Sequence, residues 1–140
     1  MVKSLVYLLF LTVHAVTDIR EKQIYVAPLV WQGAAGILFQ LCGGQRGVVT
    51  ALSCLPGLIC LGVGRLSGEK IGYGDGWMVL LSGLYLSPAQ MTVQLFWSFL
   101  TAFFYAAGVL ATGRLSEKSE IPFAPFFLIG YFGGVLYGQR

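Results

Sequence analysis

The chain has 140 residues, of which 56% are hydrophobic and 11% charged, with a formal net charge of +3 and a mean hydropathy of +0.76. A soluble domain carries about 25% charged residues, and a small one exposes much of what it folds, so this composition excludes a water-soluble globule and points to lipid as the solvent. The charge is weak and scattered, without a Lys/Arg run or an aromatic-basic module, which excludes nucleic acid as a partner.

Six apolar segments follow one another between charged or glycine-rich breaks: Val2–Thr17, Tyr25–Cys42, Val48–Val63, Gly74–Ser87, Met91–Thr112 and Ile121–Tyr137. A spanning helix needs about 20 residues. The second, third, fifth and sixth segments approach that length, while the first and fourth reach it only by extending through Asp18 and back to Gly72. Backbone in lipid must satisfy its own hydrogen bonds, and these segments are continuously apolar rather than alternating, so a β-barrel is excluded. The expected fold is all-α: one membrane-embedded domain over residues 1–140, a polytopic bundle of about six transmembrane helices.

Basic residues orient the bundle. The first, third and fifth loops hold Arg20, Lys22, Arg65, Lys70, Arg114 and Lys118; the opposite side holds Lys3, Arg46 and Arg140. The odd loops are therefore placed on the cytoplasmic side, and Asp18 and Asp75 fall at the cytoplasmic ends of their segments. Lys3, the apolar run from Leu5 and the Val13-His14-Ala15 stretch also fit a cleavable signal peptide; five further apolar segments favour an uncleaved first span.

Cys42, Cys54 and Cys60 form no CxxC and have no nearby histidine, so they read as packing residues, with no metal and no cofactor expected. Gly130, Gly134 and Gly138 recur every fourth residue on the last segment, a spacing that serves tight internal packing or a homodimer face. Trp31, Trp77 and Trp97 fit interfacial anchoring or packing rather than a cofactor cage. No phosphate loop, HExxH, GxSxG or dinucleotide fingerprint occurs.

Six acidic residues are present. Glu21, Glu69, Glu117 and Glu120 lie among basic residues in loops, where a solvated role is the default; Glu69 and Lys70 are also placed to meet charges on a substrate. Asp18 and Asp75 are different because they are tied to apolar helices, where ionisable groups are costly and are functional candidates. Asp75 sits in Ile71-Gly72-Tyr73-Gly74-Asp75-Gly76. Glycines at alternate positions admit backbone shapes closed to other residues and allow close approach of another strand. A helix start also places the carboxylate at the positive end of the dipole, favouring ionisation. Two carboxylates within a few ångströms share a proton: the ionised member activates water and the protonated member polarises a scissile carbonyl. The plain structural readings are a helix N-cap for Asp75 and a helix end for Asp18. His14, one turn before Asp18, is within reach of it as a tuning group, but also fits as a packed core histidine.

Three blocks resemble the type IV prepilin peptidase family, the bacterial and archaeal GxGD membrane aspartic peptidases. Ala15-Val16-Thr17-Asp18-Ile19-Arg20-Glu21-Lys22-Gln23-Ile24 is similar to the family's first aspartate block, Gly72-Tyr73-Gly74-Asp75 matches its GxGD, and Ile121-Pro122-Phe123-Ala124-Pro125-Phe126 resembles its late IPFGPF-like stretch. The resemblance runs in family order across nearly the whole chain. It implies six helices in a bacterial or archaeal cytoplasmic membrane, with Asp18 and Asp75 as the catalytic pair facing one another at the cytoplasmic side. Gly72, Gly74, Ile24 and Pro122 then shape the site or bind substrate. It also implies an aspartic endopeptidase acting on the leaders of prepilin or pseudopilin proteins, in service of type IV pili or protein secretion. Lacking the family's N-terminal cytosolic region with paired cysteines, the chain is expected to have no methyltransferase activity.

Two departures bear on substrate preference. Tyr25-Val26 stands where the family usually has Pro-Asn, and Gly76 follows the GxGD aspartate where lysine is common. They keep open a non-catalytic pilus or secretion assembly protein. A small ion- or proton-coupled transporter is another alternative, with the aspartates as its relay. A presenilin-like peptidase fits less well, because Thr17 rather than tyrosine precedes Asp18.

Overall fold

The computed structural model describes residues 1–43, 47–66, 72–112 and 121–138, with side chains up to 134. Six helices follow in order: α1 (Val2–Glu21), α2 (Val26–Gly43), α3 (Gly47–Leu66), α4 (Tyr73–Ser82), α5 (Pro88–Ala111) and α6 (Ala124–Gly138). Of these, α1, α2, α3 and α5 are long and apolar enough to cross a membrane, and α6 contributes a shorter apolar stretch, Ala124–Gly134. The expected helical membrane bundle is observed: six helices, of which four are of spanning length among the described residues. α4 has only ten residues. It stops at Ser82 instead of reaching Ser87, because 83–86 form a turn that feeds a capping box. In that box the Ser87 hydroxyl accepts from the Gln90 N–H, the Gln90 side chain accepts from the Ser87 N–H, and Pro88 stands in the first helical turn.

The distribution of side chains is inverted relative to a soluble protein. Leu5, Leu9, Val30, Leu52, Phe103 and Phe104 are all more than half exposed, whereas His14, Gln32, Ser53, Ser82, Gln94 and Ser98 are almost fully buried. In lipid an outward leucine costs nothing, and buried polar groups hold helices together by hydrogen bonds of up to roughly 1.7 kcal/mol each. The Tyr7 hydroxyl donates to Gln94 Oε1 (3.1 Å), and Gln94 Nε2 donates to the Phe127 carbonyl (3.0 Å), so α1, α5 and α6 are tied at one level. The Tyr85 hydroxyl donates to the Gln32 carbonyl (2.6 Å), and its ring stacks on Tyr7 with centroids 5.1 Å apart.

Glycines set how closely the helices approach. A Cβ on Gly57 would fall 2.3 Å from the Leu80 backbone, and one on Gly83 would fall 2.7 Å from the Cys54 nitrogen, so α3 and the α4 region touch backbone to backbone. On α6 a Cβ at Gly130 would meet Ser98 Oγ at 2.1 Å, whereas one at Gly134 meets nothing closer than 3.9 Å. Gly130 thus packs against α5 within the chain. Of the loop charges used for orientation, Arg46, Lys70, Arg114, Lys118 and Arg140 lie outside the described residues, as do Glu69, Glu117 and Glu120.

Gly57→Leu is expected to separate α3 from α4, since backbone cannot yield as a flexible side chain does. Its measure is thermal unfolding in detergent: a fall in stability of at least about 1–3 kcal/mol, or failure to accumulate.

Candidate active site

Asp18 is built into α1 itself and is only 6% exposed. The helix runs one turn past it because the inward stripe Tyr7, Leu11, His14, Ala15, Asp18 keeps helical spacing to the end. The helix then closes with Lys22 in the left-handed region (φ 51°, ψ 33°), whose N–H bonds back to the Asp18 carbonyl at 2.9 Å. Across the bundle, the Ala124 N–H at the start of α6 donates to Asp18 Oδ2 at 2.9 Å. The Phe123 amide lies close to the same carboxylate. Pro122 precedes this turn and is half-buried. The first-turn amides of a helix have no partner within it, and an acceptor carboxylate satisfies one of them.

Asp75 is the third residue of α4, and the GxGD glycines act here through space rather than through unusual dihedrals. Gly72 has φ −53° and ψ 115°, a conformation open to any residue. A Cβ there, however, would lie 2.6 Å from Asp75 Oδ2. A Cβ on Gly74 would lie 2.9 Å from the Ile24 Cβ. Gly76 is buried, and a Cβ on it would meet Leu61 of α3 at 2.8 Å, so the lysine common at this position in the resembling family has no room to point this way.

The two carboxylates line one cavity of about 280 Å³, together with Lys22, Gln23, Ile24, Gly72 and Gly74. Among the described residues no hydrogen bond reaches the Asp75 side chain. Burial, followed by the charge of Asp18, pushes its carboxyl up to about 7. The helix-start argument alone predicts the opposite direction. A dipole effect of roughly 0.3–1 kcal/mol is less than one pKa unit, and it is outweighed here. Burial and the neighbouring carboxylate thus disfavour ionisation of Asp75, while Asp18 accepts an amide hydrogen bond. Among the described residues, no three His, Cys, Asp or Glu side chains converge as a metal site.

A second, larger cavity of about 700 Å³ adjoins the first, sharing Ile24 and Gly74 with it. It is an apolar groove between α2 and α4, walled by Val26, Val30, Ala34, Ile37, Trp77 and Leu81 among others. Tyr25 and Val26, the departure from Pro-Asn, stand at its head. Val26 faces the groove, while the Tyr25 hydroxyl bonds to Glu21.

Of the residues singled out in the sequence, Asp18, Asp75, Gly72, Gly74 and Ile24 come together. Pro122 is not among the residues lining either cavity. Its neighbour Ala124 makes the contact instead, through a backbone atom that residue-type reasoning passes over. His14 is fully buried, but its hydrogen-bond partner is Gln32 (2.9 Å), not Asp18. Cys42, Cys54 and Cys60 are free thiols.

Comparison with known proteins points the same way as the three sequence blocks. A prepilin leader peptidase/N-methyltransferase of Bacillus subtilis (strain 168) is 28% identical over 141 positions, taking in 97% of this chain and 56% of that protein. The protein of the same name from Aeromonas hydrophila is 28% identical over 119 positions, 80% of this chain and 40% of its own length. Its counterpart from Aeromonas salmonicida (strain A449) is 27% identical over the same shares. The chain spans about half the length, or less, of these curated relatives. No protein-family model matches it, and no solved structure does. The similarity covers most of the chain and supports the type IV prepilin peptidase family.

The unequal support of the two carboxylates has a consequence for stability. Asp18→Ala leaves the buried Ala124 amide without its acceptor and is expected to cost about 1–3 kcal/mol in detergent unfolding. Asp75→Ala removes a half-buried group that has no hydrogen bond among the described residues and is expected to be near neutral. Equal losses from the two substitutions would contradict this asymmetry.

Proposed function

We propose that this chain is a membrane aspartic endopeptidase of the type IV prepilin peptidase family, cleaving the leaders of prepilin or pseudopilin proteins at the cytoplasmic face of a bacterial or archaeal membrane. The observation that carries the reading is the pair Asp18 and Asp75. They come from helices far apart in sequence, they line one cavity, and burial together with the neighbouring carboxylate disfavours ionisation of Asp75. Such a pair hydrolyses a peptide bond without metal or covalent intermediate. The ionised carboxylate draws a proton from water as the oxygen attacks the carbonyl carbon, and the protonated one donates to the carbonyl oxygen. Collapse of the tetrahedral species returns a proton to the leaving nitrogen and breaks the C–N bond.

The relatives' printed names carry the prepilin leader peptidase activity, and the positive-inside reading supports a cytoplasmic cavity. Cavity and groove together match a substrate that is polar at the scissile bond and apolar beyond it. The extended segment lies over the dyad, close to Gly72 and Gly74, and the apolar segment lies along Val30, Ala34 and Trp77.

Co-expression with a prepilin having a basic leader before an apolar helix tests the catalytic pair. Asp18→Asn and Asp75→Asn are each expected to insert normally and to lower cleavage at least about 10³-fold, with no response of the wild type to chelators. Processing retained by either variant removes that aspartate from the pair.

The groove has a separate signature. Ala34→Trp fills it without touching the dyad cavity. It is expected to raise KM for a helix-bearing precursor at least about 10-fold while cleavage of a peptide lacking the apolar half is unchanged. Equal effects on both substrates would place the apolar segment elsewhere.

A further inference from the structure

The two aspartates are chemically alike but are not held alike, and this difference sorts their roles. Asp18 Oδ2 accepts the Ala124 N–H in a buried, charge-compatible hydrogen bond at the positive end of α6. An amide donor stabilises a carboxylate and has nothing to offer the oxygen that holds a carboxylic acid's proton. Asp75 receives no such donor among the described residues and is wedged against Gly72.

We infer that Asp18 is the ionised general base and Asp75 the protonated acid, with the Ala124 amide as the positioning group that fixes this division. The inference rests on the peptidase reading above and assigns each member of the pair its task. Water loses its proton to Asp18 while its oxygen bonds to the carbonyl carbon, and Asp75 gives its proton to the carbonyl oxygen. When the C–N bond breaks, the proton on Asp18 passes to the departing nitrogen and Asp75 recovers one from the collapsing hydroxyl, so the pair is restored. The late Ile121-Pro122-Phe123-Ala124-Pro125 stretch thereby acquires a function: it ends the loop so that α6 begins with its first free amide aimed at α1.

The groups facing the pair come from every neighbouring element: His14 on α1, Lys22 at its cap, Cys60 on α3, and the Phe123 and Ala124 amides of α6. Lys22 lines the cavity common to both carboxylates, His14 lies toward Asp18 and Cys60 toward Asp75. Among the described residues only Asp18 has a hydrogen-bond donor on its carboxylate.

Ala124→Pro removes the donor while keeping a residue suited to the first helical position; Ala124→Gly retains the donor and serves as control. Asp18 must be ionised and Asp75 protonated in the working enzyme. The acidic limb of the kcat profile then reports Asp18, and the basic limb, where rate falls as pH rises through about 7, reports Asp75. In Ala124→Pro the acidic limb is expected to move up by about 1–2 pH units, with the basic limb and the Ala124→Gly profile unchanged. An unmoved acidic limb, or movement of the basic limb alone, would overturn the assignment.

A second measurement does not depend on that variant folding or on any cleavage assay. Carboxyl-carbon NMR of the wild-type protein in micelles is used, with Asp18 and Asp75 resonances assigned by their loss in the two Asn variants. Asp18 is expected to titrate below Asp75, and the reverse order refutes the inference. Failure of the wild type to cut any prepilin would instead count against the peptidase reading, leaving the titration order to decide this one.

Discussion

The hydrogen bond from the Ala124 amide to Asp18 joins residues 106 positions apart and closes the first helix against the last. In an apolar medium a carboxylate and a free helix-start amide are each expensive alone, and pairing them removes both costs together. The bond therefore constrains more than its two atoms. It sets the depth and rotation of α1 relative to α6, so that the stripe ending in Asp18 faces inward while Leu5, Leu9, Val13 and Val16 face lipid. Farther along the same helices, Tyr7, Gln94 and the Phe127 carbonyl repeat the principle with neutral groups.

With α1 held in this way, the position of Asp75 depends on how closely α4 can approach. Gly57, Gly76 and Gly83 let α4 and the turn after it lie directly on α3, and Gly74 lets it meet Ile24 in the connection before α2. A ten-residue helix has little surface with which to hold itself in place, so backbone contact substitutes for length. The GxGD glycines are accordingly explained by volume: at Gly72 the dihedrals are ordinary, and the missing Cβ makes room for the aspartate's own oxygen. Gly76 belongs to the same packing surface, which ties the departure from lysine to the α3 contact rather than to the cavity.

The juxtaposition of a small polar cavity with a larger apolar groove follows from these contacts. Ile24 and Gly74 belong to both, and Tyr73 and Trp77 extend the groove along the outer side of α4. The lining thus changes from polar to apolar where the two cavities meet, at Ile24 and Gly74. Buried His14 and Gln32, paired with each other, lie behind this wall and brace α1 against α2 without entering either cavity.

Much of this was legible in the residues. Hydropathy located all six helices to within a few positions, because an apolar run in lipid has no alternative to the helix, and the scarcity of acidic groups singled out Asp18 and Asp75. Local pattern went astray where a partner decides the outcome. The segment through Ser87 reads as one helix, yet the Ser87–Gln90 capping box begins a new one. The helix-start dipole predicts an easily ionised Asp75, yet burial and the Asp18 charge prevail. Pro122 enters only through the family resemblance, and the contact to Asp18 is made by the amide of Ala124, since backbone amides are invisible to residue type. The amino-acid order by itself thus determined the solvent, the helices and the two carboxylates. Only the tertiary structure decided which carboxylate receives an amide hydrogen bond and which has none among the described residues, since that depends on groups brought together from helices distant in the chain.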